Sequence, residues 1–280
     1  MKNNRILPVL QILLAALCGV VLALHRSTAP SSGVALFLVG LAAAVVVALF
    51  SLAVEGMKKK VGPAPAVMNK AGFALLAAAG FLFLLAAAFS FLQQNVGQVL
   101  RVVTAVFAAA CGALTLMRLP LRDSGQTAAV YSLLPVFFIS YYLLIFYRSN
   151  GDNPYLLQFG YEIAVLLAVL LGIYSAVAGR FEKARPRFRS VCCSLGLTFI
   201  VQELVYLAWQ PQAVYTIPGL SIAAMVALLA YALLLCCGLL FPPVQEVFVS
   251  ETGEESGDGE KDSDKEEDSD GKDDTPPDEK

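Results

Sequence analysis

Long apolar runs, broken by short polar clusters, fill the first 249 residues of the chain. Eight of them reach the roughly 20 residues of helix that a bilayer core requires. They lie near 6–24, 33–54, 71–92, 97–117, 127–147, 156–178, 190–209 and 216–240. This pattern predicts an all-α, polytopic integral membrane bundle of eight transmembrane helices. The first run follows a positive stretch, Met1-Lys-Asn-Asn-Arg5, like the start of a signal peptide. It is long for a signal sequence, and no small-x-small cleavage site precedes His25, so a retained anchor is expected. From Ser250 onward the pattern stops. Asp, Glu, Ser, Gly, Lys and Pro take over with almost nothing to bury, which predicts a disordered acidic tail. Two units are therefore expected, a transmembrane domain over 1–249 and a cytoplasmic tail over 250–280.

Composition sharpens this division. The chain is 58% hydrophobic and only 15% charged, against about 25% charged in soluble domains. Residues 1–249 carry 16 Lys/Arg against 7 Asp/Glu, whereas 250–280 carry 4 against 15. Within the body the basic residues follow the loops. Lys2, Arg5, Lys58, Lys59, Lys60, Lys70, Arg118, Arg122, Arg180, Lys183, Arg185, Arg187 and Arg189 fall on one side of an eight-span arrangement. Arg26, Arg101 and Arg148 fall on the other. Positive loops stay inside, so both termini are expected in the cytoplasm. No Asn-x-Ser/Thr sequon occurs, which suits a bacterial plasma membrane.

Two carboxylates, Glu162 and Glu203, lie well inside apolar runs. An ionisable group in hydrocarbon is costly and marks a functional site by default. Counted from the helix ends near Tyr155 and Trp209, both lie ~9–10 Å below the outer surface at 1.5 Å per residue. Arg148 ends the fifth span on that side, and Arg101 begins the fourth. Polar residues recur at helical spacing beside the acids: Tyr155, Gln158 and Glu162 on the sixth span, and Glu203, Tyr206 and Gln210 on the seventh, with Gln202 adjacent. A polar, outward-facing cavity lined by Arg101, Arg148, Glu162, Glu203, Gln202 and Tyr206 is expected, open to a small polar solute or to protons. The competing reading makes the same groups interhelical glue, worth about 1 kcal/mol per bond. On the fourth span, Arg101, Thr104, Ala108, Cys111 and Thr115 form a narrow small-and-polar face. Pro135 deprives the Tyr131 carbonyl of its helical partner and predicts a kink.

Several functions are set aside. The single histidine, His25, falls outside the spans, so histidine-based hydrolysis within the membrane has no support. There is no G-x-x-x-x-G-K-[ST] loop. The six cysteines all sit in apolar runs, and the pairs Cys192-Cys193 and Cys236-Cys237 place neighbouring side chains about 100° apart, poor geometry for a metal. In the tail, Glu266-x-Asp268-x-Asp270-Gly271 begins like a calcium loop but has Pro277 where the bidentate Glu belongs. No cofactor, metal or nucleic acid is expected. The partners expected are the lipid bilayer, a small polar solute, and a basic cytoplasmic protein for the tail. The leading function is solute or proton binding for transport or sensing. The alternatives are a non-catalytic scaffold whose tail recruits that partner, and an enzyme using the two acids.

Overall fold

The structure is a computed structural model that describes residues 3–28, 33–61, 70–93, 97–121, 125–151, 159–181, 185–212 and 221–241. The acidic segment over 250–280, expected to be disordered, lies outside the described residues, as do Tyr155 and Gln158. Among the described residues the secondary structure is all α-helical: α1 (Asn3–Thr28), α2 (Gly33–Val61), α3 (Lys70–Leu92), α4 (Gln98–Met117), α5 (Gly125–Tyr131), α6 (Leu133–Asn150), α7 (Gly160–Ala178), α8 (Pro186–Trp209) and α9 (Ile222–Leu240). Eight helical stretches are long and apolar enough to cross a bilayer, with α5 and α6 together forming one of them over Thr127–Asn150.

Large apolar side chains cover much of the exterior. Phe37, Leu49, Phe81, Leu144 and Trp209 are each more than half exposed. Water would penalise such a surface, and hydrocarbon would not. Inside, the bundle is organised on α8, which packs against α1, α2, α7 and α9. Its buried side includes Ser190, Ser194, Thr198, Gln202 and Glu203. The α7 helix packs on α8 and α6, while α3 packs on α4 and α9.

Small residues set the closest approaches. A Cβ at Gly112 of α4 would lie 2.8 Å from the Gly80 carbonyl of α3, so only glycine permits this crossing. Gly80 closes the Ala77-Ala-Ala-Gly80 run. At the α1–α8 crossing, a Cβ on Gly19 would meet the Thr198 carbonyl at 2.5 Å. An aromatic cluster fills the space between α3, α4, α6 and α9. Phe83 and Tyr231 meet edge-on at 5.1 Å, and Phe107 stacks on Tyr141 at 5.1 Å.

The fifth span breaks at Ser132, between α5 and α6 and three residues before Pro135. The physical cause is the missing proline N–H, which would have closed the turn on the Tyr131 carbonyl. Ser132 Oγ instead donates to the Ala129 carbonyl (2.5 Å), and Tyr231 Oη donates to the Pro135 carbonyl (2.7 Å). A cavity of about 40 Å3 adjoins the break, lined in part by Ser132, Pro135, Arg118 and Arg180. That is room for a water or two.

Candidate functional site

The ionic centre of the bundle is built from three helices. Glu162 sits in the first turn of α7. Glu203 lies six residues before the end of α8, and Arg26 two residues before the end of α1. Helix α8 packs directly against both α1 and α7, so the three side chains meet near one end of the bundle. Arg26 Nη1 donates to Glu203 Oε2 at 2.8 Å, and Arg26 Nη2 donates to Glu162 Oε1. One guanidinium thus bridges two carboxylates from different helices. A planar fork with fixed donors and weak hydration suits a buried bridge of this kind.

The centre is buried and closely packed. Glu162 and Glu203 are each 1% exposed, and the Arg26 side chain is 9% exposed. The guanidinium carbon lies 3.8 Å from the centroid of the Tyr206 ring and 5.1 Å from that of Tyr161. Stacking on an aromatic face is favourable for a cation removed from water. Gln202 Nε2 donates to Glu203 Oε2 at 3.5 Å, a long bond on the oxygen that Arg26 already uses. Three acceptor oxygens have no hydrogen-bond partner among the described residues: Glu162 Oε2, Glu203 Oε1 and Gln202 Oε1.

Four of the six residues expected at the site, Glu162, Glu203, Gln202 and Tyr206, lie together around Arg26. The other two lie elsewhere. Arg101 Nη1 donates to the Gln93 carbonyl just beyond α3, at 3.0 Å. Arg148 is exposed in the last turn of α6. The bridging cation is Arg26, which the hydropathy pattern assigns to a loop because the first apolar run ends near residue 24. The helix continues to Thr28 instead, and Arg26 stays on the α8-facing side, with Gln11, Ala15, Gly19 and Leu22 also buried on α1. That spacing of three and four residues was the available signal. The stripe expected on α4 is buried at Ala108, Cys111 and Thr115, on a helix that packs mainly against α3.

A second polar contact ties α1 to α8 nearer their other ends. Gln11 Nε2 donates to Ser190 Oγ (2.8 Å), Ser194 Oγ (2.6 Å) and the Ser190 carbonyl (3.2 Å). The hydroxyls of Ser194 and Thr198 donate back to carbonyls one turn earlier on α8. The α1–α8 seam is therefore polar at both ends and closed by Gly19 between them. Among the described residues no group of three His, Cys, Asp or Glu side chains is placed to hold a metal ion. The cysteines are free thiols, and Cys193 packs against Ser175 and the Gly172 carbonyl.

Comparison with protein-family models, curated proteins and solved structures finds no match to this chain. The chemistry of the site therefore rests on its own geometry. Two buried carboxylates on one arginine can hold helices together. They also leave one negative charge uncompensated when all three groups are ionised.

Proposed function

We propose that this chain is a multi-pass membrane protein that binds a small polar solute or protons at the Arg26–Glu162–Glu203 centre, for transport or sensing. The observation that carries this reading is the shared arginine. Two carboxylates, each 1% exposed, have one guanidinium between them. A centre evolved only to join helices has no use for the second buried acid, because desolvating a charge without a full partner costs several kcal/mol. The basic loop bias supports an orientation with both termini in the cytoplasm and the centre toward the outer face of a bacterial plasma membrane. Under this reading residues 250–280 form a soluble cytoplasmic tail.

The test is proton movement into liposomes carrying the purified protein, followed with an internal pH-sensitive dye under an imposed pH gradient. Flux above protein-free liposomes, abolished in Glu203→Gln, supports the reading. A second reading has its own observation. The centre is closed and paired, as an assembly clasp would be, and the acidic tail would then recruit a basic cytoplasmic protein. Wild-type flux equal to that of empty liposomes, together with salt-sensitive capture of a basic protein by the tail, favours this scaffold role.

A further inference from the structure

We propose that the Arg26–Glu162–Glu203 centre takes up one monovalent cation, a proton or a sodium ion, on the acceptor oxygens that the arginine leaves unpartnered. This rests on the proposed binding role of the same centre and names its ligand. Arg26 is always protonated, and its single positive charge is shared between two acids, Nη1 donating to Glu203 and Nη2 to Glu162. Two carboxylates against one guanidinium leave a net charge of minus one. In a low-dielectric interior that charge is expensive. A single positive charge neutralises the centre. A divalent ion would overshoot to plus one, and an anion would meet repulsion from the second carboxylate.

The acceptor atoms point the same way. Glu162 Oε2, Glu203 Oε1 and Gln202 Oε1 are buried without a hydrogen-bond partner among the described residues. Their residues are already linked, Glu162 to Glu203 through Arg26, and Glu203 to Gln202 through the amide nitrogen. An unmet acceptor wants a donor or a hard cation. A proton on a carboxyl supplies an O–H donor, and a sodium ion accepts carboxylate and amide oxygens as ligands. Among the described residues, the titratable groups from the packed elements include Tyr161 on α7, Tyr206 on α8, His25 beside Arg26 on α1, and Tyr142 on α6 and Tyr231 on α9, which line a small cavity together with Glu162. The α2 helix approaches Tyr161 with Gly40. Tyr206 and Tyr161 lie against the arginine, so they hold the guanidinium in place and leave the oxygens to the ligand.

Two measurements on the full-length protein in detergent separate the sources. In the first, melting temperature is followed as sodium chloride replaces choline chloride at constant ionic strength. A sodium ion on the centre gives a saturable rise of a few degrees, absent with potassium and lost in Glu162→Gln. In the second, the infrared C=O band of a protonated carboxyl is recorded at neutral pH in H2O and D2O. A proton on the centre gives one such band per chain, shifted by D2O and lost when Glu162→Gln and Glu203→Gln are combined. The wild-type protein alone decides the matter if a variant does not fold. Absence of both the sodium effect and the protonated-carboxyl band overturns the proposal. A bound cation without flux in liposomes would leave this assignment standing and defeat the transport reading. Flux without a bound cation would do the reverse.

Discussion

Replacing Arg26 with Gln tests the ionic centre most directly, because the three charged groups predict unequal costs. Arg26→Gln leaves Glu162 and Glu203, each 1% exposed, facing one another without a cation. Removing one partner from a buried ion pair typically costs 3–5 kcal/mol, about the value of the uncompensated charge left behind. For a chain of this size that corresponds to a fall in Tm on the order of 10 °C. Glu203→Gln is a different perturbation. Were Glu203 paired with an arginine of its own, that substitution would strand a cation at the same 3–5 kcal/mol. In the structure Arg26 keeps Glu162, so a neutral one-to-one pair survives and the loss is smaller, about 1.5–3 kcal/mol for the charge-assisted hydrogen bond. Neutralising all three groups together should recover most of the stability lost in Arg26→Gln, since the two ion pairs share one arginine and are strongly coupled. Thermal unfolding of the purified variants in one detergent measures all of these. The reasoning fails if Arg26→Gln melts within a degree or two of wild type, or if Glu203→Gln is as damaging as Arg26→Gln.

Three further outcomes are expected. Gly19→Ala places a methyl 2.5 Å from the Thr198 carbonyl and 2.8 Å from Val201 Cβ, so it should lower stability by roughly 1–3 kcal/mol. Gly56→Ala meets nothing within 4 Å and should be neutral or stabilising by up to about 1 kcal/mol; equal melting curves for the two variants would contradict the tight α1–α8 approach. Tyr231→Phe removes the bond to the Pro135 carbonyl and should cost about 1 kcal/mol, read as a modest fall in Tm with the helical circular-dichroism signal unchanged. Single cysteines introduced into a cysteine-free chain at positions 94 and 212 should react with an impermeant maleimide from outside intact cells, and those at 59 and 187 only after lysis. Labelling at 187 from outside would reverse the proposed orientation.

Hydropathy is a one-dimensional property, and what depends on it was legible in one dimension. Eight apolar runs, each about a bilayer long, became eight helical stretches long and apolar enough to cross a membrane. The requirement that every backbone polar group be satisfied inside lipid leaves few other choices. The break near Pro135 was legible too, because a missing N–H acts within its own turn. The count from Tyr155 places Glu162 seven residues into its helix, whereas α7 begins at Gly160 and holds Glu162 in its first turn; what joins the two acids is their shared partner. The identity of that partner was not legible. By the alternation of spans, Arg26, Arg101 and Arg148 all belong to the same side of the bundle, so depth cannot choose among them. The choice depends on which helix lies laterally beside which. Arg26 reaches its acids across separations of 136 and 177 residues, because α8 packs between α1 and α7. Glycine at position 19 lets α1 lie close enough to α8 for the arginine to bridge both carboxylates. Side-chain volume and shape at a crossing decide helix neighbours, and those quantities take effect only once the helices have packed.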